Sequence, residues 1–187
     1  MADKNRQYFR VLNLPVERLH LENGLTVLLQ PGSRSRVCSI HTWLQAGSFH
    51  DPVGRSGLAH FFEHLMFTGT SRFSEAELDH WVEHNGGQLN AATWLDWTYF
   101  HAELPTDALA PFIAMEGDRF KNLCLSTERM ERERQVVLAE RREQIEGEPE
   151  AFLSEKLWQS ALSAEGYGRP TIGYTEEIEA ISKEDCR

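Results

Sequence analysis

The sequence predicts an α+β domain in which a largely antiparallel sheet packs against helices. The first observation is a pair of alternating segments, Glu17–Leu21 and Leu25–Gln30, that flank the hairpin turn signal Asn23-Gly24. The second is that helical patterns follow the hairpin strands, which is typical of α+β domains. The third is composition, because 187 residues that are 41% hydrophobic are enough for one domain with its own core.

Five elements are expected between Val37 and Glu103. Ser74 and Glu77 form a capping box, which opens a helix that ends near Asn85. The other four are a strand at Val37–Leu44, a helix over residues 57–67, and strands at Gln88–Thr93 and Thr98–Glu103.

Helices dominate the remainder of the chain. Thr106 can cap a helix that reaches Asn122, and Ser126 or Thr127 opens a long helix rich in Glu and Arg. A further helix begins at Pro149 and carries Phe152, Leu157 and Leu162, and a loop over residues 166–173 follows it.

The end of the chain has the pattern of an unfinished helix. Ser182 and Asp185 have the spacing of a cap and a first-turn acid, and the sequence stops at Arg187. A single turn is too short to be stable alone. We therefore expect a domain over residues 17–187 that is truncated at its C-terminus, preceded by an N-terminal extension over residues 1–16.

Charge and cysteine content exclude several classes of protein. The net charge is −10, with 29 acidic against 19 basic side chains, and no basic patch indicates nucleic-acid binding. No segment approaches the length of a membrane span.

The three cysteines are odd in number and form no C-x-x-C pair, which favours buried or incidental thiols. The first ten residues lack the apolar core of a secretory signal, so a cytoplasmic location is favoured, and a periplasmic one stays open if a signal peptide was removed.

His60, Glu63 and His64 form the pattern H-x-x-E-H, the inverted zincin signature. Residues four apart on a helix lie one above the other, so the two imidazoles can hold one metal ion between them. Glu63 lies on the neighbouring edge of that face, where it can reach a water at the metal without ligating the metal. The pattern therefore indicates a zinc peptidase site.

The same pattern occurs a second time at His80, Glu83 and His84. Both copies fall on amphipathic helices, and a solvated polar face explains either one. The stop signal at residues 85–87 directly follows the second copy, so its last turn is prone to fraying. The first copy continues into the apolar run at residues 65–67, which anchors its helix more firmly.

Three blocks of the sequence resemble the pitrilysin/insulinase family of zinc peptidases, and they occur in the family's order. Residues 56–70 resemble the active-site helix, residues 86–93 the glycine pair and Asn-Ala-x-Thr strand, and residues 133–140 the distal glutamate helix. The resemblance extends from about Leu19 to the C-terminus. It implies an α+β fold with one copy of the family's domain, and it implies that the second H-x-x-E-H is a coincidence.

The resemblance also implies one zinc ion per chain, held by His60, His64 and Glu140. The residues alone do not distinguish Glu140 from Glu143 or Glu146, because the whole run is dense in Glu and Arg and typical of a solvated helix. A catalytic zinc site has three protein ligands and keeps one position for water, which agrees with this set.

The remaining site residues are assigned by the same resemblance. Glu63 would be the general base, and Glu133 would be a nearby carboxylate that orients a ligand or the water network. Asn90, Ala91 and Thr93 would belong to an edge strand to which a peptide substrate adds by backbone pairing.

The expected function is therefore that of a zinc-dependent endopeptidase acting on peptides or on small or unfolded proteins. Family members have two related halves, and nothing in this chain matches the second, so a second related domain or subunit is expected to complete the active site. The alternative is a non-catalytic scaffold or assembly subunit, but such relatives usually lose part of the zinc set, which is intact here. A structural zinc site would need a fourth ligand, for which Cys38, His41 and His50 are the candidates.

Overall fold

A computed structural model describes residues 6–32, 34–162 and 166–186. It divides into two units, the first ending at Arg36 and the second beginning at Val37. All strand pairs in both units are antiparallel, and six α-helices lie in the second unit. This confirms the α+β class with largely antiparallel sheets. None of the described helices combines the length and the apolar character that crossing a bilayer requires.

The first unit contains a three-stranded sheet with strand order β1-β2-β3. Its strands are β1 (Arg6–Val11), β2 (Leu14–His20) and β3 (Thr26–Leu29). The turn at Asn23-Gly24 joins β2 and β3 as expected, with Gly24 at φ +89°. The segment predicted as an N-terminal extension thus contains a strand, while the domain boundary at residue 17 stays a prediction.

The sequence pattern missed β1 because its turn has no glycine. Leu12 and Asn13 join β1 to β2 with φ values of 47° and 65°. Two-residue hairpin turns of this kind favour Asn and Gly at both positions, because a positive φ is costly for a side chain such as leucine. Because leucine is not a turn signal, this turn cannot be recognised from the sequence as one with glycine at the same position could be.

The second unit contains a sheet with strand order β4-β6-β5, which leaves one edge of β5 unpaired among the described residues. Its strands are β4 (Val37–Leu44), β5 (Gln88–Thr93) and β6 (Thr98–Pro105). Its helices are α1 (Leu58–Leu65), α2 (Glu75–His84), α3 (Leu109–Asn122), α4 (Thr127–Arg141), α5 (Pro149–Ala161) and α6 (Thr175–Ala180).

Helix starts agree with the cap signals at all but one position. Ser74 and Glu77 form the predicted capping box, and Ser126 Oγ accepts a hydrogen bond from Arg129 N at 3.2 Å. Pro149 is the first residue of α5. Thr106 was wrong as a cap, because a 3₁₀ turn over Thr106–Ala108 precedes α3.

Two apolar clusters form the core of the second unit. The first lies between α1, α4 and α6, and its members include Phe61, Leu65, Met130, Val137, Leu138 and Ile178. The second lies between the sheet and helices α2 and α3, and its members include Leu78, Val82, Ala102, Leu104 and Phe112. The first cluster fixes α1 against α4, which is the contact that builds the candidate site.

A π-helical turn over Arg142–Glu146 continues α4. Gly147 N donates to Arg142 O at 2.8 Å, an i→i+5 bond, before α5 begins. Single π turns of this kind occur frequently at functional sites. Near the end of the chain, Ser182 and Asp185 form a capped turn, with Ser182 Oγ donating to Asp185 Oδ2 at 2.8 Å.

Candidate active site

Helices α1 and α4 bring the predicted metal ligands together. Phe61 and Leu65 on α1 are fully buried in the apolar cluster shared with α4, and the neighbouring edge of α1 carries His60 and His64 toward Glu140. Glu140 Oε2 lies 3.7 Å from His60 Nε2 and 3.3 Å from His64 Nε2. One ligand atom from each of the three residues lies within 4.8 Å of the other two.

This geometry fits a zinc ion. Around a tetrahedral zinc with bonds of about 2.0–2.1 Å, neighbouring ligand atoms lie roughly 3.3–3.4 Å apart. The two separations from Glu140 Oε2, 3.3 and 3.7 Å, are close to that value, so only small side-chain shifts are needed. The donor set of two imidazoles and one carboxylate is also a zinc set.

The two imidazoles differ in the direction of their pKa shifts. Burial, together with the neighbouring His64, lowers the pKa of His60, so this ring is neutral at pH 7. Burial also opposes the charged form of His64, but the carboxylates of Glu133 and Glu140 outweigh it and raise the pKa of His64 to about 9. His64 therefore carries a proton in the metal-free chain, which a metal ion must displace.

Glu133 lies two turns before Glu140 and faces the other nitrogen of His64. Its Oε2 atom is 3.8 Å from His64 Nδ1. The interaction with His64 keeps the pKa of Glu133 below its usual value, despite partial burial. Glu133 is therefore an anionic neighbour of a candidate ligand, which agrees with the predicted orienting role and not with a role as ligand.

Glu63 points to the β5 side of the site. Thr93 Oγ1 donates a hydrogen bond to Glu63 Oε2 at 2.5 Å. Burial raises the pKa of Glu63, and the Thr93 hydroxyl opposes that rise. A carboxyl with a raised pKa, oriented by the Thr93 hydroxyl, is suited to accept and return a proton.

The three predicted substrate residues do not all line the same cavity. Thr93 is buried and its hydroxyl is bound to Glu63, so its side chain serves the site itself. Ala91 and Thr93 line a cavity beside His60, whereas Asn90 lines a separate cleft between α2 and β5. All three lie on β5, which has one unpaired edge among the described residues.

The cavity beside His60 and Glu63 has a volume of about 660 Å³. Its walls are formed by residues from α1, from β5 and the following loop, from the end of α4 and its π turn, from α5, and from residues 167–172. The large apolar side chains among them are Trp94, Leu95, Ile145, Trp158, Tyr167 and Ile172. Sequence reasoning did not find this cavity, because its lining residues are spread over the chain from His60 to Ile172.

A buried ion pair fixes the α5 wall of the cavity to α4. Arg141 donates to both carboxylate oxygens of Glu155, at 2.9 and 3.1 Å. The two side chains are only 7% and 5% exposed. The pair lies one residue after the candidate ligand Glu140, so it connects the cavity wall to the metal-binding part of α4.

We expect Glu155→Gln to destabilise the fold by about 3–5 kcal/mol, because the buried Arg141 guanidinium loses its buried partner. The remaining acid near Arg141 is the more exposed Glu146, whose Oε1 atom lies 3.7 Å from Arg141 Nε. Urea unfolding of the metal-free protein measures the loss. Glu75→Gln is the matched control, because it removes the acid of the exposed Arg132–Glu75 pair, where about 0–1 kcal/mol is expected. Equal losses in the two variants would contradict a structural role for the buried pair.

Gln144 is a site residue that sequence analysis did not identify. Its Nε2 atom donates to Glu140 Oε1 at 3.0 Å, which leaves Oε2 facing the two imidazoles. The i, i+4 spacing was a usable signal, since such residues are neighbours on a helix. The signal was hidden because Glu and Arg at many positions of α4 offer equivalent pairs.

The second H-x-x-E-H lies on α2, with His80, Glu83 and His84 all exposed. Within residues 6–32, 34–162 and 166–186, the one group of three metal-binding side chains is His60, His64 and Glu140. Neither the second copy nor Cys38, His41 or His50 belongs to such a group in this part of the chain. This arrangement favours an open, three-ligand site over a closed structural one.

Known proteins resemble this chain over most of its length. A family model described as "Insulinase (Peptidase family M16)" matches residues 26–175. Mitochondrial-processing peptidase subunit beta of Homo sapiens is 34% identical over 176 residues, which cover 94% of this chain and 36% of that protein. A probable subunit of the same name from Schizosaccharomyces pombe is 32% identical over 178 residues, covering 95% and 39%.

Solved structures give the same result. A protease from Helicobacter pylori superposes with a TM-score of 0.88 at 28% identity, covering 92% of this chain and 42% of that one. Pitrilysin superposes with a TM-score of 0.73 at 26% identity, covering 95% and 18%. This chain thus spans little more than a third of the length of the curated relatives it matches. Since the family model covers most of the chain, the chain belongs to the insulinase family of peptidases, family M16.

Proposed function

We propose that this chain is the metal-bearing part of a zinc-dependent endopeptidase that hydrolyses peptides or small, unfolded proteins. The observation that carries the proposal is the convergence of His60, His64 and Glu140 within 4.8 Å of one another. Glu63 lies on the same helix turn, and an apolar cavity lies beside it. Membership of a peptidase family supports the same reaction class.

Each site residue would have its own role in peptide hydrolysis. His60, His64 and Glu140 would hold zinc, which when bound makes a water acidic near neutral pH and polarises a carbonyl group. Glu63 would accept the proton of the attacking water and pass it to the departing amine. The Thr93 hydroxyl binds Glu63 Oε2 and would orient the carboxylate for that transfer.

The unpaired edge of β5 supports a peptide as the substrate. An extended peptide can add to such an edge through backbone hydrogen bonds, which recognise any sequence, while pockets add preference. Ala91 and Thr93 place this edge at the mouth of the cavity, next to Glu63. A peptide paired with β5 would therefore pass the catalytic glutamate.

A second related domain or subunit is proposed to complete the site. The matched relatives are about three times longer than the region they share with this chain, and several are named as a subunit. Helix α5 also leaves Leu153, Leu157 and Trp158 exposed, and such apolar faces commonly mark contact surfaces. This helix forms a wall of the cavity, so a partner bound there would adjoin the site.

The test is a zinc titration of metal-free chain, with bound metal measured by elemental analysis and hydrolysis measured on a long, internally quenched peptide. We expect one zinc per chain, and hydrolysis that is lost with a chelator and restored by zinc. A folded chain that binds no zinc contradicts the proposal. Zinc binding without hydrolysis would contradict activity of the chain alone and would direct the same assay to the complex with its partner.

A further inference from the structure

The helix that carries His60 and His64 has no local N-cap. Residue Gly57 occupies the cap position with φ +85°, and it makes no side-chain cap hydrogen bond. A Cβ atom at Gly57 would lie 2.4 Å from Ile172 O, so a serine or aspartate cannot take this position. The first turn of α1 also contains no acidic residue. The amide groups at its start must therefore be satisfied from elsewhere.

Asp51 supplies the missing cap from outside the helix. Its Oδ2 atom accepts a hydrogen bond from Gly57 N at 2.8 Å, and its Oδ1 atom accepts one from Ala59 N at 2.9 Å. Both carboxylate oxygens are thus used by the first turn. A negative charge at this end also complements the helix dipole.

A buried arginine holds the backbone of Asp51 and Pro52 in place. Arg169 donates from Nη2 to Asp51 O at 2.7 Å and from Nη1 to Pro52 O at 3.0 Å. Burial raises the pKa of Asp51 to about 6, although the bonds from Ala59 and Gly57 and the charge of Arg169 oppose this rise. The group is therefore still ionised at neutral pH, as a cap with two acceptor oxygens requires.

We propose that Asp51 is a positioning residue for the metal site, which fixes the rotation and start of α1 and thereby the direction of His60. Ala59 N, which Asp51 binds, precedes His60 by one residue. If the chain shifted by one residue along a helix axis that stayed in place, every position on that axis would rotate by about 100°, which would move His60 away from Glu140. The inference rests on the proposed zinc site for its readout.

Asp51→Asn tests the role, because the amide keeps the shape but has one acceptor oxygen and presents an N–H group toward a backbone N–H. We expect zinc affinity, measured by competition with a chromophoric chelator, to fall about 10–100-fold, as for other groups that orient metal ligands. The visible spectrum of the Co²⁺-loaded variant should also change. Asp118→Asn is the matched control.

Asp118 is as buried as Asp51, at 6% exposure for each, and accepts hydrogen bonds from Thr70 Oγ1 and Asn122 Nδ2. It contacts neither α1 nor Glu140 among the hydrogen bonds and ion pairs of the described residues. Its loss should lower stability without changing zinc affinity or the Co²⁺ spectrum. Wild-type affinity and spectrum in folded Asp51→Asn would overturn the proposal.

Hydrogen exchange at the Gly57 and Ala59 amides of the wild-type chain provides a readout that needs no variant. We expect both amides to be protected, and exchange at the rate of free amides would overturn the cap even if Asp51→Asn does not fold. Wild-type chain that binds no zinc but protects both amides would contradict the proposed zinc function and retain the cap. The two failures are therefore distinguishable.

Discussion

Glu63→Gln should lose peptidase activity and keep zinc. The amide occupies the same space and can still accept a hydrogen bond from Thr93, but it cannot take up and return a proton. General base catalysis contributes about 10²–10⁴-fold to the rate of such reactions, so kcat should fall by that factor. The measurement is kcat on a quenched peptide, with the zinc content of the same sample determined in parallel.

Glu83→Gln is the matched control for this change. Glu83 occupies the same position in the second H-x-x-E-H, but it is exposed on α2. We expect unchanged activity and unchanged zinc content in this variant. An active Glu63→Gln protein, or an inactive Glu83→Gln protein, would contradict the assignment of the base.

Glu140→Gln is expected to have the largest effect on metal binding. Its Oε2 atom is the one that approaches both His60 and His64. An amide oxygen carries no charge, so it would bind zinc far more weakly than the carboxylate, and the lost negative charge would no longer help to hold the cation. Zinc affinity should fall by more than about 100-fold, which is the upper end of the loss caused by groups that only orient a ligand.

Glu143→Gln provides the comparison for Glu140→Gln. Glu143 is exposed and lies one turn further along, in the π turn. Its substitution by glutamine removes the same charge from the same segment. Zinc affinity should stay within a factor of about two, since only long-range attraction is lost at an exposed position. Equal losses in both variants would show that net charge and not ligation governs the affinity.

The sequence predicted the local part of the site well. The i, i+4 spacing of His60 and His64 determines that they share a helix face, and the apolar residues Phe61 and Leu65 determine which face is buried. The caps at Ser74 and Ser126 were readable for the same reason, because each depends on residues within three positions. The strands β4, β5 and β6 were also found at nearly the observed positions.

Contacts between distant segments were not predictable in the same way. Glu140 lies on a helix in which eight of the 15 residues are Glu or Arg, so its selection depended on family resemblance and not on pattern. Asp51 caps a helix from six positions before Gly57, outside the range of any local cap signal. The cavity walls depend on the packing of α5 through Arg141 and Glu155, two residues that appear in the sequence as ordinary surface charges.

The hydrogen bond from Thr93 to Glu63 has a consequence for mechanical tolerance. In the proposed reaction, β5 aligns the peptide, and the same strand holds the base through Thr93. The backbone of Glu63 belongs to α1, so the Thr93 hydroxyl links the orientation of its carboxylate to the strand that would carry the peptide. A small displacement of β5 would then turn the carboxylate in the direction of the peptide, within the reach of the Glu63 side chain.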